Sequence, residues 1–67
     1  MKQEQIKRII KRHFKKGTFQ TFRQPLNLIH ATATQYEKMP DYYVERREDG
    51  LLLLNKKNNT MTIYIQK

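Results

Sequence analysis

The sequence of 67 residues contains no cysteine and no tryptophan, and it has only two glycines and two prolines. Without cysteine the chain has no disulfide, no thiolate zinc site and no thiol nucleophile. Because disulfides are rare in reducing compartments, this composition fits a cytoplasmic location, which we expect. With so little glycine there is also no glycine-rich loop of the kind that cradles phosphates.

Long apolar runs are missing as well. No stretch approaches the roughly 20 apolar residues that span a bilayer, and the N-terminus lacks the apolar segment of a signal peptide. We therefore expect no membrane insertion. Apolar residues make up 37% of the chain, which suffices for one small core, so we expect residues 1–67 to form a single domain.

Acidic residues are scarce, and the resulting positive charge is unevenly distributed. The chain has 14 lysines and arginines against 6 aspartates and glutamates, for a net charge of +8. Residues 1–23 hold eight of the cations and a single acid, Glu4, so their local charge is +7. One face of the molecule, rather than its whole surface, is therefore expected to attract anions.

The N-terminal segment, residues 1–16, has the pattern of an amphipathic helix. Residues suited to packing recur at intervals of three and four, namely Ile6, Ile9, Ile10, His13 and Phe14. Lysines and arginines occupy the remaining faces. Gly17 is placed to end the helix in a left-handed conformation, which glycine adopts without steric cost.

Residues 42–66 have the pattern of a β-meander. Thr60–Gln66 alternates between apolar and polar residues, as in a strand with two unlike faces. Leu51–Leu54 is apolar throughout, which is typical of a strand covered on both faces. Tyr42–Arg47 is predicted to be the third strand of this meander.

Turn residues suggest how these strands pair. The predicted turns are Asn58-Asn59 and Glu48-Asp49-Gly50. A two-residue turn at the first site would place Leu54 opposite Ile63. A three-residue loop at the second would place Val44 opposite Leu54, whereas a two-residue Asp-Gly turn would place it opposite Asn55. We prefer the three-residue loop because register follows the hydrophobic pattern, and it keeps Val44 on the apolar face.

The predicted sheet then has two different faces. The face expected to receive the helix carries Val44, Leu52, Leu54, Met61, Ile63 and Ile65. The expected core consists of Ile6, Ile9, Ile10, Phe14, Leu52, Leu54, Ile63 and Ile65. The second face carries Tyr43, Leu51, Leu53 and Tyr64, and we expect it to be a homodimer interface or to be covered by another segment, ahead of base stacking. The edge of the C-terminal strand is another route to a homodimer.

The segment 18–40 is ambiguous. Leu26, Ile29, Ala33 and Tyr36 have helical spacing, and Pro25 could begin such a helix. Alternation of apolar and polar residues around Ile29 also fits a strand, and threonine favours strands. For residues 26–36 we favour the strand, because the sheet would otherwise have only three, and Thr18–Phe22 is too short to assign. The expected fold is α+β, with the N-terminal amphipathic helix packed on a three- or four-stranded antiparallel sheet.

Residues able to support catalysis are few. Two histidines without cysteines or suitably spaced carboxylates are a poor metal signal, so we expect no metal and no cofactor. His13 is expected to pack at the edge of the helix stripe. His30 beside Tyr36 or Glu37 could serve as a general base in a small RNA-cleaving enzyme, but this is the weaker interpretation. We expect a non-catalytic protein.

The charge distribution predicts a small basic nucleic-acid-binding protein, for DNA or RNA, and a regulatory role is the function we expect of it. Lysines and arginines neutralise phosphates and release counterions, which is the main source of nucleic-acid affinity. The expected phosphate contacts are Lys7, Arg8, Lys11, Arg12, Lys15 and Lys16, with Arg23, Lys56 and Lys57 as secondary contacts. The alternative is a protein–protein interaction module, an inhibitor or adaptor whose basic helix docks on an acidic partner.

Overall fold

The computed structural model describes residues 3–67 and contains two helices and four strands. In chain order they are α1 (Gln3–Lys16), β1 (Phe19–Gln24), α2 (Leu26–Glu37), β2 (Tyr42–Arg47), β3 (Gly50–Asn55) and β4 (Thr60–Gln66). The α+β fold with a helix packed on a sheet is confirmed. Residues 1 and 2, which the predicted helix included, lie outside the described residues.

The four strands form one mixed sheet in the order β1-β4-β3-β2. Strand β4 runs parallel to β1 and antiparallel to β3, and β3 runs antiparallel to β2. The sheet is therefore not fully antiparallel, because β1 and β2 lie at opposite edges and are joined by helix α2. The chain must cross one face of the sheet to make that connection, so α2 becomes a cover for this face.

Helix α1 forms where it was predicted, and the side of the helix that was predicted to pack faces the sheet. It buries Ile6, Ile10 and His13, whose spacing of four and three residues keeps them on one side of the helix. Gly17 follows with a φ of 69°, the left-handed conformation that ends a helix. Both features arise from local sequence, which explains why they could be predicted.

The preference for a strand in the middle segment is wrong, because residues 26–37 form helix α2. Ile29 and Ala33 are both buried and lie four residues apart, on one side of the helix. The threonines do not prevent this, since Thr32 donates to the carbonyl of Leu28 at 2.9 Å and Thr34 donates to that of His30 at 3.0 Å. The fourth strand is supplied by β1 instead.

The β2–β3 register also differs from both predicted alternatives. Arg47 pairs with Gly50 and Val44 pairs with Leu53, so the turn contains only Glu48 and Asp49. Gly50 is thus the first residue of β3 rather than part of the turn. A Cβ at this position would collide with the carbonyl oxygen of Tyr64 on the adjacent strand. Glycine at this position permits the close approach of β3 to β4. Because Val44 pairs with Leu53, it lies on the opposite face of the sheet from the predicted one.

The β3–β4 hairpin is shifted by two residues from its predicted register. Leu54 pairs with Met61, not with Ile63, and residues 56–59 form a four-residue loop. The side chain of Asn55 accepts a hydrogen bond from the backbone N–H of Lys57 at 2.9 Å. Asn59, with a φ of 58°, closes the loop through its N–H to the carbonyl of Asn55 at 2.8 Å. A shift of two residues preserves the faces of both strands.

Two hydrophobic clusters occupy opposite faces of the sheet. Helix α1 packs on the cluster that contains Leu52, Leu54 and Met61. Helix α2 contributes to the cluster that contains Leu51 and Leu53. Successive residues of β3 therefore enter different layers, and the molecule has a helix on each side of the sheet.

The predicted core needs two corrections. Phe14 and Ile65 are 44% and 38% exposed. Both line a groove of about 410 Å³ on the α1 side of the sheet, together with Ile63. Phe14 packs against Phe19 there, with ring centroids 5.2 Å apart. Helix α1 leaves this part of the sheet uncovered, so the apolar alternation of β4 continues beyond the core.

The predicted second face is also corrected, because α2 covers most of it. Leu51 and Leu53 are buried in the α2 cluster, and Tyr64 packs against them. Tyr43 lies on the other face, in the α1 cluster, because of the changed register of β2. Of the two alternatives, cover by another segment is the one observed. Strand β4 is paired on both sides, so its edge is also closed to a second copy.

Replacement of Gly50 with alanine tests the close approach of β3 to β4. We expect Gly50→Ala to lower the free energy of unfolding by about 2–3 kcal/mol, since the new methyl group must displace backbone rather than a flexible side chain. Gly17→Ala is the matched control, because its Cβ would meet no atom and the cost of its positive φ is about 1 kcal/mol. Urea denaturation measures both. Equal losses would contradict the assigned register.

Candidate nucleic-acid interface

The outer side of α1 is a continuous cationic surface. Burial of one side of the helix on the sheet leaves the lysines and arginines facing solvent. Five of them surround a shallow depression of about 530 Å³, namely Arg8, Lys11, Arg12, Lys15 and Lys16. Lys7 is exposed on the same helix. We call these six side chains the α1 basic surface.

No cation of the α1 basic surface is in an ion pair within residues 3–67. Within residues 3–67 the ion pairs are Arg46–Glu37 and Arg47–Glu45, both at 2.9 Å, and neither includes a residue of α1. The only acid on the helix is Glu4, in its first turn. Cations without an ion-pair partner are not neutralised by neighbouring acids, so this surface attracts anions within about one Debye length, roughly 8 Å in physiological salt.

Two acids of the protein, Glu37 and Glu45, instead form ion pairs with arginines of β2. Arg46 donates to both carboxylate oxygens of Glu37, at 3.0 and 2.9 Å, and to the hydroxyl of Thr34 at 3.1 Å. The hydrogen bond from Arg46 lowers the pKa of the Glu37 carboxyl below its ordinary value. These contacts tie the end of α2 to β2. They also use these acids to pair with the arginines of β2, not with the cations of α1.

The secondary cations do not all lie beside α1. Lys56 and Lys57 belong to the β3–β4 loop, whose Asn59 contacts His13 of α1. That contact places the loop next to the C-terminal half of the helix. Arg23 pairs with Ile65, four residue positions along the parallel ladder from the Phe19 end of β1. At about 3.3 Å per residue this is roughly 13 Å further away, so Arg23 is remote from the α1 basic surface.

His13 positions the end of the basic helix. Its imidazole is buried, and Nδ1 donates to the carbonyl oxygen of Thr18 at 2.9 Å and lies 2.8 Å from the hydroxyl of the same residue. Nε2 lies 3.2 Å from Oδ1 of Asn59 in the β3–β4 loop. Packing of His13 in the helix stripe was predicted from its spacing. Its three polar contacts were not, because they join residues up to 46 positions apart.

The residues considered for catalysis are not assembled into a site. His30 is exposed on α2, and within residues 3–67 no hydrogen bond joins its ring to Tyr36 or Glu37. Glu37 binds Arg46, and the ring of Tyr36 packs against Tyr42 at 4.6 Å. The described part of the chain contains no group of three or more histidines and carboxylates that could hold a metal ion. Neither described helix has the length and hydropathy needed to cross a membrane.

The tyrosines of the predicted stacking face are occupied by other contacts. Tyr43 donates to the carboxylate of Glu45 at 3.1 Å, and its partial burial, with that hydrogen bond, raises its pKa. Tyr64 packs against Phe22 with ring centroids 5.7 Å apart, and burial raises its pKa above the ordinary value. The residues of the predicted second face, namely Tyr43, Leu51, Leu53 and Tyr64, therefore do not form one accessible surface.

Comparison of the chain with protein-family models, curated proteins and solved structures gives no significant match. The α1 basic surface is therefore interpreted from its own geometry and charge.

Replacement of His13 tests whether it anchors the basic helix. We expect His13→Leu to lower the free energy of unfolding by about 1–3 kcal/mol, because the polar groups of Thr18 and Asn59 lose their partner. His30→Leu, at an exposed position of α2, is the control and should change stability by less than about 0.5 kcal/mol. Thermal unfolding at constant pH measures both. A His13→Leu variant as stable as the control would show that the contacts are dispensable.

Proposed function

We propose that this protein is a non-catalytic nucleic-acid-binding protein that holds phosphates on the α1 basic surface. The observation that supports the proposal is a helix with six solvent-facing cations, none of them in an ion pair within residues 3–67. We further propose a regulatory role, a cytoplasmic location and a homodimeric state. The sequence motivates each of these.

The dimensions of the surface suit a polyanion. Arg8 and Lys15 are seven residues apart, which corresponds to about 10 Å along a helix axis. Each strand of duplex DNA presents a phosphate every 3.4 Å or so of its axis, so about three phosphates of each strand, or about six in all, lie within that length. The side chains of lysine and arginine are long enough to follow such a row. Contacts of this kind position a protein without reading base sequence.

The cationic side of α1 is also open to the approach of a nucleic acid. The sheet supports α1 from one side only, through Ile6, Ile10 and His13. The opposite side faces solvent along the length of the helix. A helix is about 10–12 Å across, and the major groove of B-DNA is about 12 Å wide. The same surface can contact the backbone of single-stranded DNA or RNA, so the three ligands must be compared directly.

Charge reversal on α1 tests the proposal by fluorescence anisotropy with mixed-sequence duplex DNA, single-stranded DNA and RNA. We expect the double variant Lys11→Glu and Arg12→Glu to abolish binding near 0.15 M salt, about the physiological ionic strength. The wild-type protein should show a log–log salt slope of ~4–6, because each neutralised phosphate contributes ~0.9 for duplex and ~0.7 for single strands.

The matched control is Lys38→Glu with Lys67→Glu, which lowers the net charge equally. Lys38 follows α2, which covers the opposite face of the sheet from α1. We expect this variant to retain most of the binding. Equal loss in both variants would show that only net charge matters. Unchanged binding after reversal on α1, or no binding of wild-type protein above the lowest salt, would contradict the proposal and leave an acidic protein as the partner to seek.

A further inference from the structure

Strand β1 is an open edge of the sheet, and helix α1 contacts it at its start, where Phe19 packs against Phe14. Four consecutive residues of its six are exposed, including Phe22, which is 46% exposed. Only one of its edges is paired, with β4. Open edges readily pair with another strand, and proteins usually protect them with charges, prolines or bulges. In β1 the only charged residue is Arg23, and Pro25 lies beyond its end.

The direction of the backbone groups identifies which residues are available at this edge. The N–H of Lys67 donates to the carbonyl of Gln24 at 2.9 Å, so the polar backbone groups of Gln24 point towards β4. These groups alternate along a strand in a parallel ladder. The N–H and carbonyl groups of Thr21 and Arg23 therefore point outwards, away from the sheet.

We propose that two copies of the chain pair through β1, antiparallel and around a two-fold axis at Phe22. In this register Thr21 of each copy is opposite Arg23 of the other, so their outward N–H and carbonyl groups bond reciprocally. The two four-stranded sheets become one sheet of eight strands. This interface deepens the proposed homodimer and rests on it, but it does not depend on nucleic-acid binding.

The side chain of Phe22 favours this register. Phe22 lies opposite its own copy at a non-hydrogen-bonded pair, where the Cα atoms of antiparallel strands come within about 4.5 Å. It already stacks on Tyr64, with an angle of 28° between the rings. Pairing across the axis extends this contact to a row of four aromatic rings. Cross-strand aromatic pairs stabilise sheets, and the exposed ring of Phe22 would become covered.

A polar atom of Gln24 supports the same register. Its side-chain oxygen Oε1 is buried and, within residues 3–67, accepts no hydrogen bond. Gln24 and Gln20 lie on the same face of β1 as Phe22, because side chains alternate along a strand. In the proposed register Gln20 of the second copy is the residue opposite Gln24. Its amide can donate to this oxygen when the Gln24 side chain rotates towards the second copy, since the oxygen is closed to solvent in the single chain.

The charge of Arg23 favours the register with its two-fold axis at Phe22 over a register with its axis at Arg23. There Arg23 would face itself, and opposed like charges destabilise strand pairing. The two-fold axis at Phe22 is perpendicular to the sheet, so both α1 helices lie on the same side of the dimer. Two basic surfaces on one side would give a longer cationic face than one copy provides.

Single cysteines test the register, because the natural chain has none. A cysteine in place of Phe22 would face its own copy at about 4.5 Å between Cα atoms, within the range that a disulfide bridges. We expect Phe22→Cys to form a covalent dimer under mild oxidation. Leu28→Cys is the control, since Leu28 is 50% exposed but lies on α2. Equal cross-linking of the two variants would overturn the register.

Sedimentation velocity of the unmodified chain and of arginine variants tests the interface without cross-linking. We expect a reversible dimer whose dissociation constant rises at least tenfold in Phe22→Arg, about 1.4 kcal/mol, and stays unchanged in Leu28→Arg. Circular dichroism establishes that both variants are folded. A dimer unaffected by Phe22→Arg overturns the interface but not the homodimer, and a monomer at about 100 μM overturns both and leaves an extended peptide as the occupant.

Salt separates this proposal from nucleic-acid binding. Two chains of charge +8 repel each other, so screening should strengthen the dimer. Binding to phosphates weakens as salt rises. A failure of one proposal is therefore visible without a failure of the other, and dissociation of the dimer by salt would contradict the β1 interface.

Discussion

Strand β3 is buried on both of its faces, and this burial determines where the two helices must lie. Leu51, Leu52, Leu53 and Leu54 are between 0 and 3% exposed. Since successive side chains point to opposite faces, four consecutive leucines require a cover on each side of the sheet. Helix α1 covers one face and α2 covers the other. A sheet with only the N-terminal helix would leave Leu51 and Leu53 in water.

The position of the basic surface follows from this packing. Helix α1 can bury only the stripe that contains Ile6, Ile10 and His13, and the remainder of the helix must carry side chains that tolerate water. These are cations, while the acids lie mainly around α2 and β2. The edge strand β1 has little charge, and its residues 20–23 are exposed. The fold thus separates a cationic helix surface from a polar, aromatic strand edge, and we assign them different roles.

Local patterns in the sequence predicted the elements whose structure is decided locally. The stripe of α1, its end at Gly17 and the strands of the meander belong to this class. The middle segment could not be decided in that way, because Ile29 and Ala33 fit both a helix and an alternating strand. What distinguishes them is the need of Leu51 and Leu53 for a cover, which is a tertiary requirement.

The predicted registers of the two hairpins were wrong for a similar reason. The role of Gly50 depends on the carbonyl of Tyr64, fourteen residues away, and no turn rule contains that contact. The charges of the candidate site were visible in the sequence, but the anchoring of His13 to Asn59 was not. Strand β1 was missed because its residues alternate weakly, and its pairing with β4 spans most of the chain.

Hydrogen exchange of the backbone amides tests most directly whether two helices enclose β3. The account predicts that the amides of Leu51–Leu54 exchange only through global unfolding, at the slowest rates in the molecule, because β3 is paired on both edges and covered on both faces. The outward amides of Thr21 and Arg23, on an open edge, should exchange much faster than those of β3 when the protein is dilute. Rapid exchange in Leu51–Leu54, at rates like those of β1, would contradict the account.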